Sequence, residues 1–106
     1  MSVPANITLE DIERARLTIG DRVQRTPVVR SPSLAEVANV PVYLKLEHLQ
    51  LTGSFKLRGA TNAVLNLSTA ERQRGIVGVS TGNHGRGLAC AASEAAARCT
   101  ICMSQL

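Results

Sequence analysis

A chain of 106 residues with 44% hydrophobic side chains is globular material and excludes a disordered tail. Its 2% aromatic content, Tyr43 and Phe55, leaves the core to Ile, Leu, Val and Ala, in a domain small enough to have an unfavourable surface-to-volume ratio. The formal charge of +4 comes from arginines scattered among acids, with no basic run and no aromatic platform, which reads as solvated helix faces and argues against a nucleic-acid partner.

Taken in order, Thr8-Leu9-Glu10-Asp11 has the form of a capping box, and Leu9, Ile12, Ala15 and Ile19 follow at helical spacing until Gly20. Arg25-Thr26-Pro27-Val28-Val29 is extended, because a residue before proline is pushed toward β. Ser33-Leu34-Ala35-Glu36 reads as a second capping box, opening a short helix that stops before Pro41. Residues 42–47 alternate strictly, with Val42, Leu44 and Leu46 on one face and Tyr43, Lys45 and Glu47 on the other, the pattern of a strand with one buried face. A turn at Leu51-Thr52-Gly53 follows, and Ser54 is placed to cap a helix bearing Ala60, Ala63, Val64 and Leu67. Ser68-Thr69-Ala70-Glu71 is a third capping box, and Gly75 closes its helix. Residues 76–80 form a compact strand, an alanine-rich helix runs from Leu88 to Ala97, and a last strand opens at Thr100.

From Val42 the order is β-α-(short α)-β-α-β. It predicts an α/β fold with a parallel sheet and helices on its faces, a three-layer αβα arrangement. The three cysteines, Cys90, Cys99 and Cys102, have no signal peptide before them, which argues against a secreted disulfide framework. Cys99 and Cys102 have the spacing of a metal or redox half-site. No second ligand pair accompanies them, so both read as buried small hydrophobes, and no metal is expected. No apolar stretch is long enough to span a bilayer, and the chain reads as cytoplasmic.

Two loops carry the chemistry. In parallel α/β sheets, ligands gather at the carboxyl ends of strands, and both loops lie there. The loop 80–87 offers the hydroxyls of Ser80 and Thr81, the amide of Asn83, the imidazole of His84 and free N–H groups at a helix start, which suit a carboxylate or phosphate. Its glycines run G-x-x-G-x-G, which does not match the dinucleotide fingerprint. A plain tight turn is the alternative reading of this loop. The other loop leads into Lys56, one of two lysines in the chain. A helix N-terminus and partial burial both favour a neutral amine, able to form a Schiff base with an aldehyde. A surface charge is the alternative.

Ser54-Phe55-Lys56-Leu57-Arg58-Gly59-Ala60 together with Ser80-Thr81-Gly82-Asn83-His84-Gly85 resembles the fold type II pyridoxal-phosphate enzymes, the tryptophan-synthase-β superfamily, in its threonine/serine dehydratase branch. The loop Ser-Thr-Gly-Asn-His-Gly-Arg is also similar to that of the hydroxyectoine-utilisation dehydratases. The resemblance runs from Arg25 to Leu106. It implies that Lys56 holds pyridoxal phosphate as a Schiff base and then acts on the substrate Cα proton. Asn83 would bond the cofactor's ring hydroxyl and Phe55 would flank the ring. Ser80, Thr81, Asn83 and His84 would hold the substrate carboxylate. Thr81 stands where dehydratases often have alanine and related racemases a catalytic serine, so it is a second candidate acid/base. Arg58 is expected to pair structurally, and Leu51 replaces a proline common in the family.

The implied reaction is β-elimination from serine or threonine to a 2-oxo acid and ammonia, in a homo-oligomeric parent. Racemase, threonine synthase-like or non-catalytic anion-binding roles are the alternatives. Family members are longer and place a glycine-rich phosphate loop beyond this region, whereas this chain contains no Gly-Gly pair. The resemblance therefore implies an N-terminal fragment, with residues 1–40 belonging to the large domain and 41–106 forming an incomplete small-domain β-α-β core. Alone, it is expected neither to hold the cofactor tightly nor to turn over substrate.

Overall fold

Local capping sets the helices of the computed structural model, which describes residues 6–105. Helix α1, Leu9–Ile19, opens on a complete capping box: the Asp11 N–H donates to Thr8 Oγ1 and the Thr8 N–H donates to the Asp11 carboxylate. It ends at Gly20, whose φ of +48° suits a residue without Cβ. A 3-10 turn, Gly20–Arg22, follows, then strand β1, Val28–Arg30. Helix α2, Pro32–Ala38, starts two residues earlier than expected. Its cap is Ser31, not Ser33, because Pro32 takes the first helical position with its φ already set, and the Ser31 hydroxyl accepts from the Leu34 N–H.

Strand β2, Tyr43–Lys45, is the expected strand in a different partnership. It pairs antiparallel with β1 in the register Val28↔Lys45, Val29↔Leu44, Arg30↔Tyr43, and does not join the parallel sheet. Its alternation does not produce a buried face either: Leu44 is 38% exposed, and Val42 and Leu46 are only half-buried. A 3-10 turn, Glu47–Leu49, leads to helix α3, Lys56–Leu65.

Helix α4, Thr69–Arg74, has the second complete capping box, Ser68 with Glu71, and stops at Gly75 (φ +92°). Strand β3, Ile76–Val79, helix α5, Asn83–Glu94, and strand β4, Cys99–Cys102, form the expected β-α-β unit, with β3 and β4 parallel, although α5 starts five residues before the expected Leu88 and takes in most of the loop 80–87. The α/β class therefore stands. The core joins Ala60 and Val64 of α3 to Leu88 and Ala91 of α5, with Ile76, Cys99 and Ile101 of the sheet packed against them. Leu57 and Val64 are the large side chains buried most completely. On the other sheet face Val77 and Val79 are exposed, and so is Cys102, which corrects its reading as a buried hydrophobe; Cys99 is half-buried. Among the described residues no helix is long and apolar enough to cross a membrane, and no group of side chains is arranged to hold a metal ion.

Candidate active site

Lys56 is the first residue of α3, and the loop before it is tightly bonded. The Gly53 N–H donates to the Gln50 carbonyl at 2.8 Å, and Gly53 turns the chain with φ +76°. Ser54 is buried, and its hydroxyl accepts from the Lys56 N–H at 3.4 Å. The helix boundary itself falls on Phe55, which has no side-chain cap, so Ser54 supports the first turn from one residue further out than expected. The Lys56 ammonium lies 5.0 Å from the centre of the Phe55 ring. Both side chains are exposed, so the partial burial expected of Lys56 is absent.

A cleft of about 540 Å³ opens between α3, α5 and β3. Phe55, Lys56, Arg58 and His84 line it, together with the apolar Val64 and Leu88. The first turns of α3 and α5, 28 positions apart, thus bring Lys56 and His84 to one cavity. Ser80, Thr81 and Asn83 are not among its lining residues. Ser80 follows β3, and its hydroxyl accepts from the Gly82 N–H at 3.1 Å; Thr81 and Asn83 are exposed, Asn83 being the first residue of α5. No side chain caps α5, so the first N–H groups of that helix stay free for an anion.

Two features of this region lie outside the motifs. Glu47 and Arg58 form a two-point ion pair, with Nε donating to Oε2 at 2.9 Å and Nη2 to Oε1 at 2.7 Å. The guanidinium is the main reason the Glu47 carboxyl is held down at about 2, aided by the Thr26 hydroxyl and opposed by burial; the same pairing raises Arg58. Gln50 is buried, and its amide grips the Gln24 backbone from both sides. Arg58 was expected to pair, but its partner lies eleven residues away in a turn, and no local pattern marks a buried loop glutamine.

Comparison with known proteins gives the site its context. Residues 19–105 match the family "Pyridoxal-phosphate dependent enzyme". A Sinorhizobium fredii protein with a provisional threonine dehydratase name is 57% identical over 106 residues, which is 100% of this chain and 32% of that protein. The L-threonine ammonia-lyase of Thermotoga maritima is 50% identical over 97 residues, 92% of this chain and 24% of that enzyme. The crystal structure of serine racemase from Dictyostelium discoideum superposes with a TM-score of 0.86 at 38% identity, covering 93% of this chain and 33% of that one. The chain thus spans a third or less of the length of these relatives.

The residues present fit the aldehyde and ring of a planar cofactor: a primary amine in Lys56, an aromatic ring in Phe55 beside it and an apolar cleft wall, with the uncapped N–H groups at α5 left for a carboxylate. The chain belongs to the pyridoxal-phosphate dependent enzymes of fold type II, with threonine dehydratase-like relatives and pyridoxal phosphate as cofactor.

Proposed function

We propose that these residues belong to an ammonia-lyase that dehydrates and deaminates a small hydroxy amino acid, threonine or serine, to a 2-oxo acid and ammonia. The observation that carries this reading is the meeting of Lys56 and His84 at one cleft. Lys56 Nζ would hold the cofactor and move the substrate Cα proton. Phe55 would flank the cofactor ring and Asn83 would bond its hydroxyl. Ser80, Thr81, Asn83 and His84, with the free N–H groups of α5, orient the substrate carboxylate. Bound pyridoxal phosphate supplies the electron sink for the carbanion.

The activity is that of a homo-oligomeric, cytoplasmic protein of the relatives' length, in which residues 1–40 belong to a larger domain and 41–106 to a smaller one. The 106 residues alone neither hold the cofactor tightly nor turn over substrate; stoichiometric tight binding in a titration overturns that statement. A hydroxyectoine-derived amino acid is a further candidate substrate.

The test is a chimera. These residues replace the matching segment of the Thermotoga L-threonine ammonia-lyase, and 2-oxo acid formation is followed. Turnover that survives Lys56→Ala sinks the proposal. The likeness to serine racemase favours a second reading, in which the Thr81 hydroxyl moves a proton on the face opposite Lys56. In the same chimera, formation of D-amino acid that is lost in Thr81→Val selects it.

A further inference from the structure

The loop that carries Lys56 is fastened at its two ends by groups that do not touch the amine. Arg58 lies two residues beyond Lys56 and Glu47 opens the 3-10 turn that follows β2, and their two bonds of 2.9 and 2.7 Å fix both the distance and the plane between loop entry and exit. Arg58 Nη2 also donates to the Gln24 carbonyl at 3.0 Å, and the Thr26 hydroxyl donates to Glu47 Oε1. Inside the loop Gln50, 4% exposed, accepts from the Gln24 N–H at 2.8 Å and donates to its carbonyl at 2.9 Å. The side chains of Arg58 and Glu47 are 29% and 17% exposed, so water screens the pair less than an ordinary surface bridge.

A flexible connection of this length would leave the amine unplaced, and a misplacement of about 1 Å is enough to cost a reaction heavily. We infer that Glu47 and Arg58 are the positioning pair of Lys56: they close the loop and hold the first turn of α3 at the cleft. The inference rests on the reading of Lys56 as the cofactor-bearing lysine.

The test uses the 106-residue chain with excess pyridoxal phosphate and borohydride, the label being mapped to Lys45 and Lys56 by peptide mass spectrometry. In Glu47→Gln and in Arg58→Gln the rate of labelling at Lys56 falls about tenfold. Amide hydrogen exchange of Gly53 and Lys56 speeds up, while the amides of α5 keep their protection. Ile101→Ala, which weakens the core away from the loop, keeps the wild-type labelling rate. Folded Gln variants that label Lys56 at the wild-type rate overturn the inference, and so does an equal loss in Ile101→Ala. Should neither Gln variant fold, exchange in the wild-type chain decides: slow Gly53 and Lys56 amides support the pair, and amides as fast as those of an open loop overturn it. Should Lys56 of the wild-type chain take no label, the same labelling is run in the chimera with the Thermotoga enzyme: a tenfold loss in Glu47→Gln there supports the pair, a wild-type rate overturns it, and absence of label from Lys56 in the chimera overturns the reading of Lys56 itself.

Discussion

Gly87 on α5 and Lys56 at the start of α3 meet backbone to backbone: a Cβ on Gly87 would lie 3.1 Å from the Lys56 carbonyl carbon and 3.1 Å from the Leu57 nitrogen. The missing side chain therefore lets the second loop's helix support the turn that bears the lysine. Backbone cannot rotate away as a side chain can, so bulk at position 87 pushes on Lys56 directly. Gly87→Val is expected to destabilise by about 1–3 kcal/mol through overpacking. In Gly87→Ala a helix-propensity gain of about 1 kcal/mol is largely offset by the contact. Gly59, exposed on α3 with nothing within 4 Å of its Cβ position, is the control, and Gly59→Ala should stabilise by about 0.5–1 kcal/mol. Urea midpoints at constant slope read all three.

The Glu47 carboxyl gives a signed pH dependence. It is held at about 2 against an ordinary 4.5, first by the Arg58 guanidinium. A carboxyl lowered on folding stabilises fully above its unfolded value and loses that contribution as the pH falls through its folded value. The window is therefore pH 4.5 down to about 2. The contribution is on the order of 2 kcal/mol for a pair still partly open to solvent. Asp11 and Glu71 are lowered by their capping bonds and act in the same direction. The measurement is thus a difference: the slope of unfolding free energy against pH in wild type minus that in Glu47→Gln. Equal slopes would show that the pair contributes nothing in acid.

These relationships mark the boundary of what was legible in the chain. Thr8 with Asp11 and Ser68 with Glu71 were readable because a capping box needs only four consecutive residues, and both form. The period-2 pattern of 42–47 announced a strand and could not name its partner, since the ladder to Val28–Arg30 is chosen by contacts 13 to 17 residues apart. Lys56 and His84 do meet, but not at one sheet edge: β2 lies outside the parallel sheet, and it is the packing of α3 on α5 that brings the two together. The supports beneath them were not legible: Glu47 to Arg58 spans eleven residues and Gln50 to Gln24 twenty-six, through loop positions without periodicity. The exposure of Cys102 is not legible in the chain, because alternation tells that a face exists and not whether anything covers it.

The start of α2 offers a direct comparison of two serines that look alike in sequence. Ser68 accepts from the Glu71 N–H at 3.2 Å and receives the reciprocal bond, whereas Ser33 lies inside α2 and is exposed. Ser68→Ala should cost about 0.5–2 kcal/mol, as loss of a helix cap does. Ser33→Ala should stay within about 0.5 kcal/mol, as surface substitutions do. Ser31→Ala should behave like Ser68→Ala, because Ser31 carries the α2 cap. Thermal midpoints of the three variants rank them, and a Ser33 variant as damaging as the other two would return the cap to Ser33.

The two lysines of the chain differ in surroundings more than in exposure, and that difference is measurable. Lys45 Nζ donates to the Thr26 carbonyl at 3.2 Å and sits 4.0 Å from Glu47 Oε1, outside the cleft. Lys56 Nζ lies at the cleft beside the Phe55 ring. A small reagent such as acetic anhydride reports access and the reactivity of the amine, without a ring to place, and should modify both amines. Pyridoxal phosphate has in addition a ring that can lie on Phe55, so its Lys56-to-Lys45 ratio should exceed that of the anhydride. One aromatic contact makes the excess roughly two- to tenfold. Phe55→Ala should bring the pyridoxal phosphate ratio down toward the anhydride ratio without changing the latter. Peptide mass spectrometry after borohydride reduction gives both ratios. If they coincide in the wild-type chain, Lys56 is merely accessible, and the cleft around it lacks the shape of a cofactor site.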